Sequence, residues 1–187
     1  EATTALIKIQ AIGEVSGLHR YGADLMNQEL ALFGDWYIQK HLKIKLDENT
    51  QQSLQDILKL ITVRCTGQSE VLVHRDFMPR NLMVCDDNPG ILDFQDARVG
   101  PISYDVISLF KDAFISWEEE QIIDWTIRYW EKARKASLPV PSDFGDFYTD
   151  LEWMGLQRHL KVLGIFSRLK HRDCLLYTSD AADDRGC

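Results

Sequence analysis

Apolar residues recur at helical spacing through the first third of the chain. Between residues 22 and 43 they fall four, three and four apart, the stripe of an amphipathic helix, and residues 2–12 also suit a helix. Asn49 or Thr50 is positioned to cap a further helix with an apolar face. The two stripes consist of Met26, Leu30, Phe33 and Tyr37, and of Leu54, Ile57, Leu58 and Ile61. The pattern predicts helical scaffold over this stretch.

Three short apolar runs follow, at residues 71–73, 82–84 and 91–92. Their length and flanking turn residues predict buried strands. Asn88-Pro89-Gly90 lies between the second and third runs and predicts a tight hairpin turn. The pattern therefore predicts a small β-element within a helical chain.

Helical periodicity returns after residue 103. Gly100-Pro101 predicts a break, and Ser103 is positioned to cap a helix over residues 104–114. Residues 118–135 predict the next helix. Residues 144–169 predict one or two more, apolar nearly all round and therefore buried. The whole order of elements predicts an α+β chain that is mainly helical.

Length and charge narrow the class of protein. The chain has 187 residues, 45% of them hydrophobic, which is ample for one packed domain. Its net charge of −8 provides no basic field for nucleic acid or an anionic membrane, so neither is an expected partner. Four cysteines without paired spacing predict isolated thiols. No apolar run approaches the ~20 residues of a membrane span and no signal peptide is visible, so we predict a cytoplasmic protein.

The polar residues around the predicted strands have the spacing of a phosphoryl-transfer site. His74-Arg75-Asp76, four residues and then Asn81 form the pattern H-R-D-x-x-x-x-N, and Asp93 follows the third apolar run. Asp76 suits the base that orients and deprotonates an attacking hydroxyl. Asn81 and Asp93 offer the hard oxygen ligands that Mg²⁺ prefers, and the predicted hairpin would bring Asp93 beside Asn81.

Neighbouring residues have weaker claims to a role. We predict that His74 holds the loop in shape, that Arg75 pairs with a carboxylate and that Arg80 neutralises phosphate charge. Asp96 is either a further carboxylate near the metal or an anchor for its loop through backbone amides. Asp105 lies in the first turn of a predicted helix, where a carboxylate suits the exposed amides.

The long C-terminal run also contains candidates for substrate binding. Glu152, Arg158 and His159 would be costly to bury unpaired, so they either pair with one another or face the substrate. Trp153 could offer a flat face to a sugar ring, although aromatic residues at helical spacing are more often core.

The segments HRDFMPRNLMV and GILDFQDARVGPISYDVISLFKDAF resemble the aminoglycoside phosphotransferase family, and within it the bacterial kinases that phosphorylate N-acetylmuramate and N-acetylglucosamine at the anomeric hydroxyl. The likeness extends over most of residues 20–173. It implies that residues 1–173 form the C-lobe of a protein-kinase-like fold, without the lobe that carries the glycine-rich loop and phosphate-binding lysine. It also implies ATP as the donor, Asp76 as base, Asn81 and Asp93 as metal ligands, and Asp105 as a brace for the catalytic loop.

Departures from related patterns refine this interpretation. Asp93-Phe94-Gln95 stands where protein kinases have D-F-G, and no A-P-E follows, which favours a small-molecule kinase. Residues 174–187 resemble translated sequencing-adapter sequence, so we predict that this segment is not native. The predicted function is ATP-dependent phosphorylation of a sugar hydroxyl. The alternatives are phosphorylation of an aminoglycoside, or a fragment without activity that only binds or acts as a scaffold.

Overall fold

Helices make up most of the fold. The computed structural model describes residues 1–13, 17–86 and 88–172, and the predicted non-native segment lies outside these ranges. The α-helices are α1 (Ala2–Gln10), α2 (Ala23–Leu32), α3 (Glu48–Thr66), α4 (Tyr104–Phe110), α5 (Glu119–Lys135) and α6 (Phe144–Arg172). A π-helix (Phe33–His41) continues α2, and a 3-10 turn (Pro79–Asn81) follows the first strand. This is the mainly helical arrangement that the sequence predicts.

Helix α4 lies at the centre of the core, and each of its seven residues is buried. Helix α6 crosses α4 and also packs against α2, α3 and the π-helix. It is one continuous helix, and it is not buried all round, because Leu156 and Leu163 are exposed on its outer side. The prediction that this run is buried all round is therefore wrong, because apolar composition alone overestimates how much of α6 is buried. The side facing the core carries Phe147, Leu151 and Met154.

Two helix starts differ from the predicted caps. Helix α3 is capped by Asp47, whose carboxylate accepts the backbone N–H of Thr50 at 2.8 Å, so capping by Asn49 or Thr50 is wrong by two or three residues. Ser103 does precede α4, but its hydroxyl donates to Gln68 Oε1 at 2.5 Å and does not cap the helix. The burial of both Ser103 and Gln68 favours this pairing, because a buried hydroxyl needs a partner.

A two-stranded antiparallel sheet joins β1 (Glu70–Val73) to β4 (Arg98–Pro101), with Val71 opposite Gly100. The predicted break at Gly100-Pro101 is therefore wrong, since both residues belong to a strand. Proline is tolerated there because Pro101 is the last residue of β4. Gly100 is needed for close packing: a Cβ there would lie 3.0 Å from the Cβ of Tyr21.

The second sheet is a hairpin at the predicted place, but its predicted tight turn at Asn88-Pro89-Gly90 is wrong, because Gly90 belongs to a strand and pairs with Met83. Strand β2 (Leu82–Met83) pairs antiparallel with β3 (Gly90–Ile91), so the predicted return of the chain toward Asn81 is confirmed. Its predicted burial is wrong in part, because Met83 is 53%, Val84 92% and Leu92 46% exposed. Each strand is only two residues long, and of the hairpin's described residues Leu82 and Ile91 are the ones that pack against the core.

Gly164 permits a close contact between α6 and the end of α2. A Cβ at this position would lie 2.6 Å from the carbonyl carbon of Leu32, which no side-chain rotation relieves. Gly164→Ala would gain about 1 kcal/mol of helix propensity but force α6 and α2 apart, at a cost of about 1–3 kcal/mol. We expect a net decrease in the free energy of unfolding, measured by urea denaturation.

Gly34→Ala is the matched control for that substitution. A Cβ at Gly34 would meet no atom within 4 Å, so the free energy of unfolding should stay the same or rise slightly. Equal effects of the two substitutions would contradict the close contact at Gly164.

Candidate active site

The chain leaves β1 at Val73 and enters the predicted catalytic loop directly. The buried carboxylate of Asp105, in the first turn of α4, accepts the backbone N–H of His74 at 2.6 Å and that of Arg75 at 2.9 Å. Burial raises the pKa of Asp105 to about 7, although these two hydrogen bonds partly oppose the shift. Asp105 therefore braces the loop from its buried side, as predicted.

The Arg75 side chain points away from the reaction side of the loop and into the core. Its Nη2 donates to Glu29 Oε1 at 2.8 Å, and its guanidinium lies 5.0 Å from the ring centroid of Tyr21. The predicted pairing of Arg75 with a carboxylate is confirmed. The same Glu29 oxygen accepts from Lys161 Nζ at 2.8 Å, so helices α2 and α6 meet at this buried ion cluster.

Asp76 and Asn81 are joined through the turn between them. Asn81 Nδ2 donates to the backbone carbonyl of Asp76 at 2.9 Å. The Asn81 amide group is thereby oriented, and its oxygen remains to accept or coordinate another group. The backbone N–H of Leu92 donates to the Asn81 carbonyl at 3.0 Å, so the hairpin arm that leads to Asp93 is tied to Asn81.

Asp93 lies at the end of that hairpin arm. Its backbone φ is 67° and that of Arg75 is 75°, in the left-handed region that costs a non-glycine residue energy. Such strain often occurs at functional sites, which supports this assignment. The Asp93 carboxylate is exposed, and its Oδ1 accepts a hydrogen bond from the side-chain amide of Gln95.

His74 is buried between these groups. The pKa of His74 is lowered, because the effect of burial is larger than the opposite effect of the nearby Asp76 and Asp93 carboxylates. Both carboxylates thus lie close enough to act on one imidazole. The His74 ring also contacts Phe77, with their centroids 5.9 Å apart. These contacts agree with a role in shaping the loop.

The donor set fits a magnesium ion. Asn81 and Asp93 present one amide and one carboxylate oxygen, both hard ligands, and Mg²⁺ in kinases takes its remaining ligands from phosphate and water. Among the described residues, no group of three or more His, Cys, Asp or Glu could hold a metal by itself. A metal here would therefore depend on the phosphates of a bound nucleotide as well as on the protein.

Asp96 and Arg80 have different neighbours. Asp96 is exposed, and its charge is among those that raise the pKa of Arg75 against the lowering effect of burial. It therefore lies on the Arg75 side. Arg80 is exposed as well, and its guanidinium stacks 3.5 Å from the ring centroid of Phe114.

The polar candidates on α6 do not pair with one another. Glu152 Oε1 accepts from Lys111 Nζ at 2.6 Å, and Arg158 Nη2 lies 4.0 Å from Asp112 Oδ1. His159 Nε2 lies 3.4 Å from the Lys111 carbonyl. All three residues thus contact the segment that follows α4. The alternative that they pair with one another is therefore wrong, because sequence gives no measure of which segment lies beside a helix. The alternative that they face the substrate stays a prediction.

Trp153 is separated from this group. It faces α3, where the guanidinium of Arg64 lies 5.8 Å from its ring centroid, and its backbone carbonyl accepts from the thiol of Cys65 at 3.5 Å. The structure therefore does not bring Trp153 together with Glu152 and Arg158.

One cavity adjoins the catalytic loop, and a second cavity shares Phe110 and Trp117 with it as walls. The first, of about 380 Å³, is lined by Pro79 of the loop and by the aromatic ring of Trp125. The second, of about 410 Å³, is lined by the segment after α4, including Phe114, and by His159. Both are within the roughly 300–1,000 Å³ of typical small-molecule sites.

A braced H-R-D loop, an oriented asparagine and an aspartate on a returning hairpin are the parts that a kinase-type phosphotransferase site requires. A model described as "Phosphotransferase enzyme family" matches residues 2–141, so the chain belongs to that family. This confirms the family resemblance and the enzyme class that the motifs predict.

The curated relatives are more specific. The chain is 49% identical over 173 residues to an N-acetylmuramate/N-acetylglucosamine kinase of Neisseria meningitidis serogroup B. It is 46% identical over 172 residues to a protein of the same name from Pseudomonas aeruginosa. These matches include 92% of this chain but only 52% and 51% of the relatives. The chain thus spans about half the length of the curated relatives it matches.

Solved structures confirm the predicted fold class. A choline kinase from Cryptosporidium parvum superposes with a TM-score of 0.58 at 11% identity, over 88% of this chain and 58% of the other. The gentamicin complex of APH(2″)-IIa gives a TM-score of 0.52 at 21% identity, over 90% of this chain and 60% of the other. At these identities the likeness shows the fold alone.

No helix among the described residues has the length and apolar character to cross a membrane.

Proposed function

We propose that this chain carries the catalytic loop of a kinase that transfers the γ-phosphate of ATP to an N-acetylated amino sugar. The acceptor hydroxyl is the anomeric one, and the sugars are N-acetylmuramate and N-acetylglucosamine. The enzyme acts in the cytoplasm on small molecules. The names of the relatives at 49% and 46% identity support this substrate class.

The observation that carries the proposal is the pair of hydrogen bonds from the His74 and Arg75 amides to buried Asp105. A general base contributes only where its geometry is fixed, and these bonds fix the backbone immediately before Asp76. The scaffold thus supplies rigidity at the one residue whose carboxylate must meet the acceptor.

Each residue has a defined task in the proposed reaction. Asp76 orients the sugar hydroxyl and accepts its proton as the oxygen attacks the γ-phosphorus. The bond from the γ-phosphorus to the bridging oxygen breaks, and ADP leaves with that oxygen. Asn81 and Asp93 hold the metal through oxygen atoms. Mg²⁺ supplies charge neutralisation for the triphosphate when it is bound. His74 remains neutral and fills the space behind the loop, since its pKa is lowered by burial.

The test uses an extended enzyme, which is this chain joined to the part of the Neisseria meningitidis relative that it does not cover. With ATP and Mg²⁺ we expect phosphorylation of N-acetylmuramate and N-acetylglucosamine, and loss of activity when EDTA removes the metal. Mass spectrometry detects the product, and disappearance of the reducing end shows attack by the anomeric hydroxyl. This chain alone should give little or no turnover, because the relatives are about twice as long.

The same assay separates the alternatives. If the extended enzyme phosphorylates an aminoglycoside in preference to the sugars, the acceptor is the antibiotic and the proposed sugar substrate is wrong. An extended enzyme that binds ATP but phosphorylates neither class would favour a fragment without activity and would end the proposal.

A further inference from the structure

Arg80 occupies an unusual position in the catalytic loop. It lies four residues after Asp76 and directly before Asn81, within the 3-10 turn Pro79–Asn81. Its side chain lies over the ring of Phe114, with 3.5 Å between the guanidinium carbon and the ring centroid. Stacking of this kind fixes the plane of a guanidinium and leaves its N–H edge available for hydrogen bonds.

Arg80 makes no ion pair with a carboxylate of residues 1–13, 17–86 or 88–172. Two of the other cations that line the two cavities have carboxylate partners. Lys111 pairs with Glu152 at 2.6 Å, and Arg128 with Asp124 at 2.8 Å. A third, Lys132, donates instead to the hydroxyl groups of Thr3 and Thr4. Arg80 is thus a fixed cation whose charge the described protein does not balance.

The surroundings of Arg80 suit a small acceptor. Phe114, on which it stacks, lines the cavity of about 410 Å³, and its neighbour Pro79 lines the cavity of about 380 Å³. The chain has a net charge of −8, which repels anionic molecules at long range. A local cation is therefore required if an acidic acceptor is to bind beside the catalytic loop.

We propose that Arg80 is a specificity-determining residue that binds a carboxylate on the acceptor sugar. This inference depends on the proposed function, in which one acceptor carries a lactyl carboxylate and the other is uncharged. A planar guanidinium forms paired hydrogen bonds with a carboxylate, and its prior stacking on Phe114 reduces the conformational freedom lost on binding. Arg80 then selects the acidic sugar. The role that its sequence position alone suggests, which is to neutralise the transferring phosphate, does not belong to it.

The experiment compares N-acetylmuramate with its carboxamide, which has nearly the same shape but no charge. The measured quantity is the ratio of kcat/KM for the acid to kcat/KM for the amide, in the extended enzyme and in Arg80→Gln. We expect the ratio to fall by about tenfold or more in Arg80→Gln, through KM for the acid, because a charge-assisted hydrogen bond is lost. Arg80→Lys keeps the charge without the fork and should give an intermediate ratio.

Arg134→Gln is the matched control, because Arg134 is also exposed and stacks on an aromatic ring, 4.9 Å from the centroid of Trp130. It should leave the ratio unchanged. An unchanged ratio in Arg80→Gln, with kcat reduced equally on both acceptors, would overturn the inference and assign Arg80 to the phosphate. In that case phosphorylation of the sugars by the unsubstituted enzyme would still support the proposed function. Failure of the unsubstituted enzyme on both acceptors would end both proposals.

Discussion

Asp76→Asn is expected to lower kcat of the extended enzyme by about 10²–10⁴-fold, the usual contribution of a general base. The amide cannot accept the proton of the attacking hydroxyl, but it has nearly the same volume as the carboxylate. KM for ATP should change little, because the proposed nucleotide contacts belong to Asn81 and Asp93. The measurement is steady-state phosphorylation of N-acetylglucosamine at varied ATP concentration.

Asp56→Asn gives the baseline for this comparison. Asp56 is an exposed carboxylate on α3 that accepts a hydrogen bond from Gln52 at 3.0 Å, far from the loop in sequence. Its replacement should leave both kinetic constants within twofold. If kcat of Asp76→Asn also stays within twofold, Asp76 is not the base and the loop has another role.

The catalytic loop was predictable because its residues are close in sequence. Asp76, Asn81 and Asp93 lie within eighteen positions, and the intervening runs and turn residues predict the hairpin that joins them. The observed bond from Leu92 N–H to the Asn81 carbonyl is a consequence of that local hairpin. The metal-binding role of Asn81 and Asp93 stays a prediction.

The support beneath the loop was not predictable, because its partners are distant in sequence. Glu29 binds Arg75 forty-six positions away, and Lys161 reaches the same carboxylate from α6. On α2, Glu29 looks like a solvated residue of a polar helix face. Only the crossing of α2 and α6 buries it, and no periodic pattern encodes that crossing.

The pairing of β1 with β4 was missed for a related reason. Glycine and proline at positions 100 and 101 are turn signals when the chain is read locally. In the fold, Val71 requires a partner strand and Gly100 fits against Tyr21, so tertiary contact outweighs local preference.

Asp105→Ala is expected to have the largest effect on stability. It removes the acceptor of two N–H groups, those of His74 and Arg75, at a site that is fully buried. Each buried donor left without a partner costs about 1–3 kcal/mol, so the free energy of unfolding should fall by about 3 kcal/mol or more. Asp105→Asn should cost less, because one oxygen remains, although its NH₂ group then faces a backbone donor.

Urea denaturation of the chain measures both variants, with Asp124→Ala on the exposed side of α5 as the control. Among the described residues Asp124 pairs with Arg128 alone, on the same helix, so its loss should change the free energy of unfolding by less than about 0.5 kcal/mol. A similar small effect of Asp105→Ala would contradict the bracing role.

The pH dependence of stability tests the same carboxylate in a second way. The pKa of Asp105 is raised to about 7 in the folded chain from an ordinary value near 3.8, so between these values the folded state holds a proton that the unfolded state has lost. The contribution of Asp105 to the free energy of unfolding is therefore complete below about pH 4. It declines toward pH 7 by about 1.4 kcal/mol per pH unit. The difference in unfolding free energy between the unsubstituted chain and Asp105→Asn, which cannot titrate, should shrink over this range and then level off. A difference that grows with pH would mean that the two backbone donors outweigh burial and hold Asp105 ionised.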